Sequence, residues 1–472
     1  MQNKTILFVF LFILPQMSLW AKEVVIEPSI SVGAGYSDNI RLEDTNERSS
    51  VYTSIAPSIR FSREGSRVKA DVNYSITGLF YASENDLDTV QHRLFANANS
   101  ELVKNSIFMD LDATISQQLL NSQFSSSSDG VSGSQNLTQT YTYGISPYWK
   151  KKWSNYAQST LRYNYDEVLY DGNNSNRGGD DSKRNNYSLN VESGTKFRRY
   201  FWNFDYQHND VSYDSSLNRD TRSEIYRAVL GYHYSRRLDF TYTTGYEDYN
   251  DGRNDGGTGW RVGLIWNPTT RTSLTAETGR RFFGNTYLLD FRHRSKRFTW
   301  HFEYDDSITD TRSQIINNNN NQNSNPGGIT SPLSGNFTAQ FYLTRKFTGD
   351  VTYNYSKSSY TFGIFNERRF YQVSDKNDEQ DMGINFNWGL KVGRRTNMNT
   401  QIILTQLDNK TGVGTSGVKN TQDRTELLWS LNRRLTPEMT GYITLSYRDN
   451  SADLKQNEYT EHAIFMNVVK RF

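Results

Sequence analysis

The sequence contains no cysteine and only 8 prolines among its 472 residues. The absence of cysteine excludes a disulfide framework and any thiolate metal site. Beyond the first residues, no apolar run reaches the roughly 18 to 20 residues that a transmembrane helix needs. The low mean hydropathy therefore leaves two classes, an exported soluble protein or a transmembrane β-barrel, whose strands expose only alternate residues to lipid.

Two further function classes lack their usual signals. The formal net charge of +2 gives no electrostatic case for nucleic acid, so we expect no nucleic-acid partner. The 6 histidines show no metal-ligand spacing, and no glycine-rich phosphate loop joins a strand to a helix. We therefore expect no metal and no cofactor.

Aromatic residues are abundant instead. They make up 14% of the chain, with 31 tyrosines, which is more than a soluble domain usually carries. Tyr and Trp favour the membrane–water interface, because the ring prefers acyl chains while the polar edge prefers headgroups. The composition therefore favours the barrel.

The amino terminus predicts a secretory signal. Lys4 supplies a positive charge, residues 6–14 form a short apolar core that ends at Pro15, and Ala21 offers a small residue for cleavage. The alternative, an uncleaved membrane anchor, needs a longer apolar run. We expect residues 1–21 to be a signal peptide and residues 22–472 to form one outer-membrane β-barrel domain.

The carboxy terminus predicts the last strand of that barrel. Ile464, Met466 and Val468 alternate with other residues, and the chain ends at Phe472. An apolar strand with a terminal aromatic residue is typical of the signal that the barrel-insertion machinery of the outer membrane recognises. Lys470 departs from that signature, although its long side chain can reach the interface. The expected partners are outer-membrane lipid and this machinery.

Alternating polarity recurs along the whole chain and predicts antiparallel strands. Clear one-face sets are Val51, Thr53, Ile55, Pro57, Ile59, Phe61; Trp260, Val262, Leu264, Trp266; Met382, Ile384, Phe386, Trp388, Leu390; and Gly441, Ile443, Leu445, Tyr447. A soluble β-solenoid or sandwich array is the alternative. It would bury its apolar face in a shared core and would vary its turns.

Turn lengths alternate as they do in outer-membrane barrels, which have short periplasmic turns and long extracellular loops. Short basic turns are expected at Lys150-Lys151-Lys152, Arg198-Arg199, Arg236-Arg237, Lys296-Arg297, Arg345-Lys346, Arg394-Arg395 and Arg433-Arg434. Long polar loops are expected at residues 125–136, 171–186, 313–335 and 410–423. The pattern predicts an all-β, closed antiparallel barrel of about 22 strands (20 to 22), with both chain ends in the periplasm.

Charged residues on the polar face of the strands should line the lumen, because a charge that faces water costs far less than one in lipid. The candidates are Arg60, Asp71, Asp110, Asp112, Arg162, Asp205, Arg227, Asp239, Arg261, Glu277, Asp290, Arg292, Glu303 and Glu426. Acidic residues outnumber basic ones among them. One interpretation is a hydrated channel with weak cation preference or a polar surface for sugars. The other is a solvated wall whose charges balance each other.

A barrel of this size often carries a plug. TonB-dependent transporters place a globular plug before the first strand, whereas strand-like alternation begins here at Ile26, almost at the expected cleavage site. A constriction would therefore have to come from an extracellular loop that folds inward, and the candidate is the loop at residues 313–335. We expect its run Asn317–Asn321 to be a disordered surface loop instead.

Catalysis has one candidate group, His208 with Asp210 and Ser212 near the expected outer rim. A general base is defined by geometry and not by closeness in sequence. No recognisable sequence context surrounds these residues, and barrel hydrolases of this kind are much smaller. We therefore expect no enzyme and no catalytic residues.

Two segments carry a resemblance to a known family. They are Gly35-Tyr36-Ser37-Asp38-Asn39-Ile40 and Asn432-Arg433-Arg434-Leu435-Thr436-Pro437. The sequence resembles a family of outer-membrane β-barrel porins that occur in exopolysaccharide loci with exosortase and PEP-CTERM sorting systems. The resemblance covers the mature chain and implies a role in exporting or displaying polysaccharide, with no catalytic residues.

The expected function is an outer-membrane channel or conduit, for exopolysaccharide export or display. The alternatives are a general porin for small solutes and a surface-binding scaffold whose long loops bind a ligand while the lumen stays blocked. The basic turns either dock periplasmic polysaccharide-export components or cap the hairpins at the lipid headgroups.

Overall fold

The computed structural model describes residues 24–119, 131–132, 137–171, 180–214, 220–251, 254–321, 340–371, 378–411 and 418–472. The expected signal peptide at residues 1–21 lies outside these residues, as does nearly all of the loop expected at residues 125–136. No helix in the described ranges is long and apolar enough to cross a membrane.

Strands make up almost all of the described chain. They are β1 (Val24–Ser37), β2 (Ser50–Glu64), β3 (Val68–Tyr81), β4 (Thr89–Val103), β5 (Ile107–Leu119), β6 (Leu137–Trp153), β7 (Ala157–Tyr170), β8 (Ser182–Ser193), β9 (Tyr200–Tyr213), β10 (Thr221–Ser235), β11 (Leu238–Asn250), β12 (Asn254–Thr269), β13 (Thr272–Arg281), β14 (Gly284–Arg294), β15 (Phe298–Thr309), β16 (Tyr342–Tyr355), β17 (Ser358–Tyr371), β18 (Glu379–Lys391), β19 (Thr396–Thr411), β20 (Val418–Arg434), β21 (Met439–Ala452) and β22 (Tyr459–Arg471). One α-helix, α1 (Thr311–Asn321), follows β15, and short 3-10 helices span Asn85–Leu87 and Lys455–Asn457.

The strands form one closed antiparallel barrel. Each strand pairs with its neighbour in sequence, and β1 also pairs with β22, from Ser29 opposite Arg471 to Ser37 opposite Ala463. The backbone N–H of Phe472 extends this seam by donating to the carbonyl of Pro28 at 3.0 Å. Closure removes the free sheet edge that an open sheet would expose to lipid. The predicted closed antiparallel barrel of about 22 strands is confirmed.

The two faces of the barrel follow from the register, because residues directly opposite each other in an antiparallel pair share a face. Val32 lies opposite both Ile55 on β2 and Val468 on β22. All three side chains are exposed, at 48%, 42% and 38%, so they point outward. The same outward exposure recurs around the barrel, for example at Phe362 and Leu404. A contiguous apolar outer surface excludes the soluble alternative, since soluble monomers rarely expose one.

The periplasmic turns are tight. Asn105, Ser154 and Ser356 adopt positive φ values of 57°, 55° and 52° in three of them. Such left-handed positions let a short turn follow the right-handed twist of the flanking strands. Most extracellular connections are longer than the periplasmic turns, but the expected strict alternation of length fails between β13 and β14, where the extracellular connection is only residues 282–283.

Five of the expected turn and loop positions are wrong. Lys150-Lys151-Lys152 lie at the periplasmic end of β6 and Arg433-Arg434 at the periplasmic end of β20. Arg345 and Lys346 lie in β16 near its extracellular end, and the turn after that strand is at residues 356–357. β8 already begins at Ser182, and β19 and β20 extend to Thr411 and from Val418. The physical reason is the same each time. Beyond the lipid, at either end of the barrel, both faces of a strand meet water, so polar composition continues from the turn or loop into the strand.

The carboxy-terminal strand shows which face carries the assembly signal. The pairing of Met466 with Ala34 and of Val468 with Val32 places Ile464, Met466 and Val468 on the outer face. The Lys470 ammonium lies 4.7 Å from the centre of the Phe472 ring, which is a cation–π contact at the periplasmic rim. The function of these residues in assembly stays a prediction.

One glycine in the seam is required by close approach. The Phe465 side chain lies across Gly33 on the inner face, and a Cβ at that position would come within 2.7 Å of the Phe465 ring. Phe465 also stacks on Tyr52, with ring centres 5.8 Å apart. Only glycine lets this aromatic pair lie flat on the seam.

The face assignment makes a stability prediction at the middle of β18. Ile384 is 42% exposed and points outward, whereas the next residue, Asn385, points into the lumen. We expect Ile384→Arg to lower the free energy of unfolding in phospholipid vesicles by about 2–4 kcal/mol, because the charge enters hydrocarbon. Asn385→Arg, the matched control, should cost much less. Equal losses in a denaturant titration would contradict the assignment.

Candidate functional site

The inner face of the barrel is the candidate site. The strand registers place every one of the fourteen predicted charged residues on the face opposite the apolar one: Arg60, Asp71, Asp110, Asp112, Arg162, Asp205, Arg227, Asp239, Arg261, Glu277, Asp290, Arg292, Glu303 and Glu426. Their contribution to selectivity stays a prediction.

Several of these charges are paired with a charge of opposite sign on the adjacent strand or on the strand after it. Arg60 lies 3.3 Å from Asp71. Arg162 lies 2.7 Å from Asp110, with which it forms a hydrogen bond. Arg261 lies 3.1 Å from Glu277. The field that each charge sends into the lumen is therefore largely cancelled by its partner.

The remaining predicted residues have polar neighbours as well. Arg292 binds Asp290 at 3.0 Å, Asp239 binds His233 at 2.7 Å, and Glu426 binds Arg448 at 3.0 Å. Three further contacts join Asp205 to Asn190 at 2.6 Å, Glu303 to His301 at 3.8 Å and Arg227 to Glu247 at 3.9 Å. Asp112 lies directly opposite Gly144 of β6.

Several inner ion pairs were not predicted from the sequence. Arg184 binds Asp166 at 2.7 Å, Arg281 binds Glu247 at 2.5 Å, and Arg448 binds Glu461 at 2.7 Å with both side chains buried. Strict alternation would have found Arg281, which lies four residues after Glu277 on the same strand, whereas Arg184 lies on β8, where no inner residue had been assigned. The interpretation as a wall of balanced charges therefore fits the geometry better than a cation-selective one.

The helix α1 lies inside the extracellular mouth. Arg312 at its start forms an ion pair with Asp166 on the inner face of β7 at 2.6 Å. The same guanidinium donates to the Asp166 carbonyl at 2.9 Å and to the Ser182 hydroxyl of β8 at 2.8 Å. Since β7 and β15 are far apart in the sheet, these contacts cross the mouth. We call Arg312 and its wall partners the mouth latch.

Apolar packing supports the mouth latch. Ile315 of α1 is fully buried, and it packs with Val168 and Tyr170 on the inner face of β7. The alternative that this loop folds inward is therefore correct for residues 311–316. The expected disorder of Asn317–Asn321 is wrong, because these residues complete the helix. The asparagine-rich composition hid the helix, since its anchors are the two residues Arg312 and Ile315 and not the run itself.

Two other extracellular segments also fold onto the inner wall. The Tyr81 hydroxyl of β3 donates to the Val131 carbonyl, and the Ser132 hydroxyl donates to Glu461 of β22. From the first loop, Ile40 is fully buried among inner side chains of β2 and β3. The extracellular mouth is thus narrowed by α1, by residues 131–132 and by the first extracellular loop.

An ionic clamp joins the first two extracellular loops. Arg41 donates to Asp86 at 2.6 Å and to Glu84 at 2.7 Å. Hydrogen bonds to Asp86 and Glu84 raise the pKa of the Arg41 guanidinium, and the hydrogen bond from Arg41 lowers the pKa of the Asp86 carboxyl. The clamp ties the first extracellular loop to the second.

The periplasmic half of the lumen has a different chemistry along β18 to β22. We call the inner positions here the amide sector: Asn385, Asn387, Asn397, Asn399, Gln401, Ser430, Asn432, Tyr442, Thr444 and Asn467. Between Lys391 and Arg434 at the rim and Glu426 and Arg448 at mid-height, the inner positions of these strands carry no charge. Asn397 donates to Asn432 at 3.1 Å, and Asn467 donates to Ser31 at 3.0 Å.

The only residues considered for catalysis face away from the lumen. His208 lies 2.7 Å from Asp210, and both occupy the outer face of β9, opposite Tyr187 and Asn185 of β8. Ser212 shares that face. Across the described ranges, no group of three or more His, Asp or Glu side chains is arranged to hold a metal ion.

No family model matches the sequence, and no curated protein matches it. Solved structures resemble the fold. The siderophore receptor PirA from Acinetobacter baumannii is 10% identical, with 96% of this chain and 81% of that chain covered and a TM-score of 0.54. The FrpB iron transporter from Neisseria meningitidis (F3-3 variant) is 8% identical, with 94% and 81% covered and a TM-score of 0.51.

A third structure is the ferripyoverdine receptor of the outer membrane of Pseudomonas aeruginosa bound to ferripyoverdine. It is 9% identical, with 95% of this chain and 72% of that chain covered and a TM-score of 0.52. At such identities the likeness concerns the fold alone. The protein is an outer-membrane β-barrel with the fold of outer-membrane transporters.

The mouth latch makes a prediction for conductance. We expect Arg312→Ala to raise the single-channel conductance in planar bilayers at least about twofold, because the helix loses both its ion pair and its hydrogen bonds to the wall. Gln314→Ala, in the same helix turn but without a polar contact to the wall in the described part of the chain, is the matched control. Unchanged conductance in Arg312→Ala would show that α1 does not limit the pore.

Proposed function

We propose that this protein is an outer-membrane conduit for an uncharged or weakly charged polysaccharide, in exopolysaccharide export or surface display. The observation that carries the proposal is the amide sector, which runs from the periplasmic rim to mid-height without a charge. Amide and hydroxyl groups exchange hydrogen bonds with sugar hydroxyls as readily as with water. Tyr442 adds one aromatic face to this sector.

The paired charges elsewhere on the wall support the same substrate class. A strongly anionic polymer would need unpaired cations along its path, whereas the inner arginines already bind wall carboxylates, as in Arg162–Asp110 and Arg261–Glu277. Passage needs contacts that are favourable enough for entry and weak enough for exit. A balanced wall with an uncharged strip meets both conditions for a neutral sugar chain.

The proposed periplasmic partners are components of polysaccharide export. The basic turns at Arg198-Arg199, Arg236-Arg237 and Arg394-Arg395 lie at the periplasmic rim, where a partner can reach them. The same turns also suit lipid headgroups, so this part of the proposal depends on the sequence resemblance.

A surface-binding scaffold with a blocked lumen is the second candidate. The mouth latch favours it, because Arg312, Ile315 and the segment at residues 131–132 narrow the extracellular opening. A general porin for small solutes is the third candidate. Absence of current both in the natural protein and in Arg312→Ala would favour the scaffold over either channel.

Sugar block of the current tests the conduit. We expect maltoheptaose, a neutral oligosaccharide added on the periplasmic side, to interrupt the current of the Arg312→Ala pore in planar bilayers. The double change Asn387→Ala and Asn399→Ala in that background should shorten each block by about 5-fold or more, because two hydrogen bonds of about 0.5–1.5 kcal/mol each are lost. Asn366→Ala, on the outer face of β17, is the control. Blocks of equal duration in both variants would contradict a sugar-binding function for the amide sector.

Ion selectivity tests the balanced wall. In a KCl gradient the natural protein should show a reversal potential close to zero. Asp110→Asn with Glu277→Gln should shift it toward anion preference, because Arg162 and Arg261 lose their carboxylate partners. Asp248→Asn removes an acid from the outer face and is the control. An unchanged potential in the double variant would exclude these residues from the ion path.

A further inference from the structure

Two arginines lie side by side on the outer surface near the extracellular end of the barrel. Arg345 on β16 is directly opposite Arg368 on β17. Both share a face with Val351 and Phe362, which are opposite each other lower on the same strands. We call Arg345 and Arg368 the outer arginine pair. Like charges that are directly opposite each other destabilise a sheet unless an anion lies between them.

Carboxylates of the protein compensate only part of the positive charge of the two arginines. The nearest carboxylate to Arg345 is Asp306 on β15, with 3.6 Å between the arginine Nε and the carboxylate Oδ1. This distance exceeds hydrogen-bond range, and the buried Nε of Arg345 has no hydrogen-bond partner. The Asp306 carboxylate is already bound, since it accepts from the Tyr304 hydroxyl and from the Tyr287 N–H, each at 2.9 Å.

Arg368 has still less compensation. Its side chain is exposed, and within the described residues no carboxylate forms an ion pair with it. Its other cross-strand neighbour is the uncharged Gln380. Asp306, beside Arg345, is therefore the one carboxylate within ion-pair distance of either guanidinium in the described residues, which leaves a net positive charge.

Two other outer cations near the extracellular strand ends also have acids close by. Lys183 lies 3.9 Å from Glu167. Arg222 lies 4.0 Å from Asp210 and 3.8 Å from Glu224. Arg280 on the outer face of β13 is exposed and forms no ion pair within the described residues, so what distinguishes the outer arginine pair is that its two guanidinium groups lie on directly opposite residues.

The position of the outer arginine pair along the membrane normal indicates which molecules can reach it. Phe347 lies one outward position below Arg345, and the apolar outer residues continue below it through Val351. The pair thus lies at the top of the hydrocarbon layer, where a charged side chain costs little. Phe370 covers the Arg345 guanidinium at 5.3 Å from its ring centre. The molecules at this level are the phosphorylated glycolipids of the outer leaflet.

We propose that the outer arginine pair binds a phosphate group of lipopolysaccharide at the surface of the barrel. A guanidinium presents a planar fork of donors that matches phosphate oxygens, and two adjacent forks can hold one phosphate from both sides. The phosphate supplies the negative charge that Asp306 alone does not. The site is separate from the lumen, so it does not depend on the transported solute.

Lipid binding to the folded protein tests the proposal. Native mass spectrometry would compare retention of diphosphoryl lipid A by the natural protein and by Arg345→Gln with Arg368→Gln. We expect the double variant to lose retention about tenfold or more, because two basic contacts to the headgroup are removed. Arg222→Gln, an outer arginine with acidic neighbours, should retain the lipid as the natural protein does.

Two further measurements test whether binding needs the lipid phosphate and the planar guanidinium. Dephosphorylated lipid A should bind the natural protein as weakly as diphosphoryl lipid A binds the double variant. Lysine at both positions should restore part of the retention, since it keeps the charge but not the planar fork. If the double variant is not folded, as judged by the loss of its heat-modifiable gel shift, Arg368→Gln alone replaces it. Equal retention in the natural protein and the variant, or equal binding of phosphatidylglycerol and lipid A, would overturn the proposal.

Discussion

The structure depends on the pairing of backbone N–H and C=O groups inside hydrocarbon, where water cannot replace a missing partner. A sheet meets this condition only when its first and last strands join. The seam between β1 and β22 makes that junction over nine residue pairs, from Ser29 opposite Arg471 to Ser37 opposite Ala463. Its inner side is built for close contact, with Phe465 lying across Gly33 and stacking on Tyr52. The chain end is therefore a structural part of the barrel, and the terminal residue Phe472 lies where the seam reaches the periplasmic rim.

Closure also explains how much of the fold the sequence could predict. Because lipid lies outside the barrel and water inside, each side chain faces one or the other, and successive side chains of a strand point to opposite faces. This alternation is independent of register, so the inner position of residues such as Arg60 or Glu277 follows from their immediate neighbours. The ends of the strands are different. Above the lipid both faces are wet, and polar stretches such as the start of β8 or the Arg345-Lys346 pair in β16 therefore resembled loops and turns.

The chemistry of the lumen was less predictable, because it depends on which residues meet across strands and across the mouth. The balance of charge required the register, since Arg162 finds Asp110 across three strands and Arg448 finds both Glu426 and Glu461. The mouth helix required tertiary contacts that no local pattern contains. Arg312 and Ile315 sit in an asparagine-rich segment with weak local preference, and only their partners Asp166 and Val168 on a distant strand fix the helix there.

The mouth latch and the inner wall are both held by buried or half-buried ion pairs. The small net stability of such pairs determines how easily the proposed conduit would open. A buried ion pair gains little net stability, because desolvation of both groups offsets most of their attraction. The Arg312–Asp166 pair can therefore hold α1 in place without making the closed mouth much more stable than an open one, and Arg184 remains beside Asp166 to neutralise it when the helix leaves. Since the carboxylate keeps a partner in both states, opening does not require an uncompensated charge on the wall. Under the proposed conduit function, an uncharged polymer would displace the helix by replacing the hydrogen bonds of Arg312 and the packing of Ile315, and the uncharged amide sector below would offer it hydrogen bonds along the rest of its path.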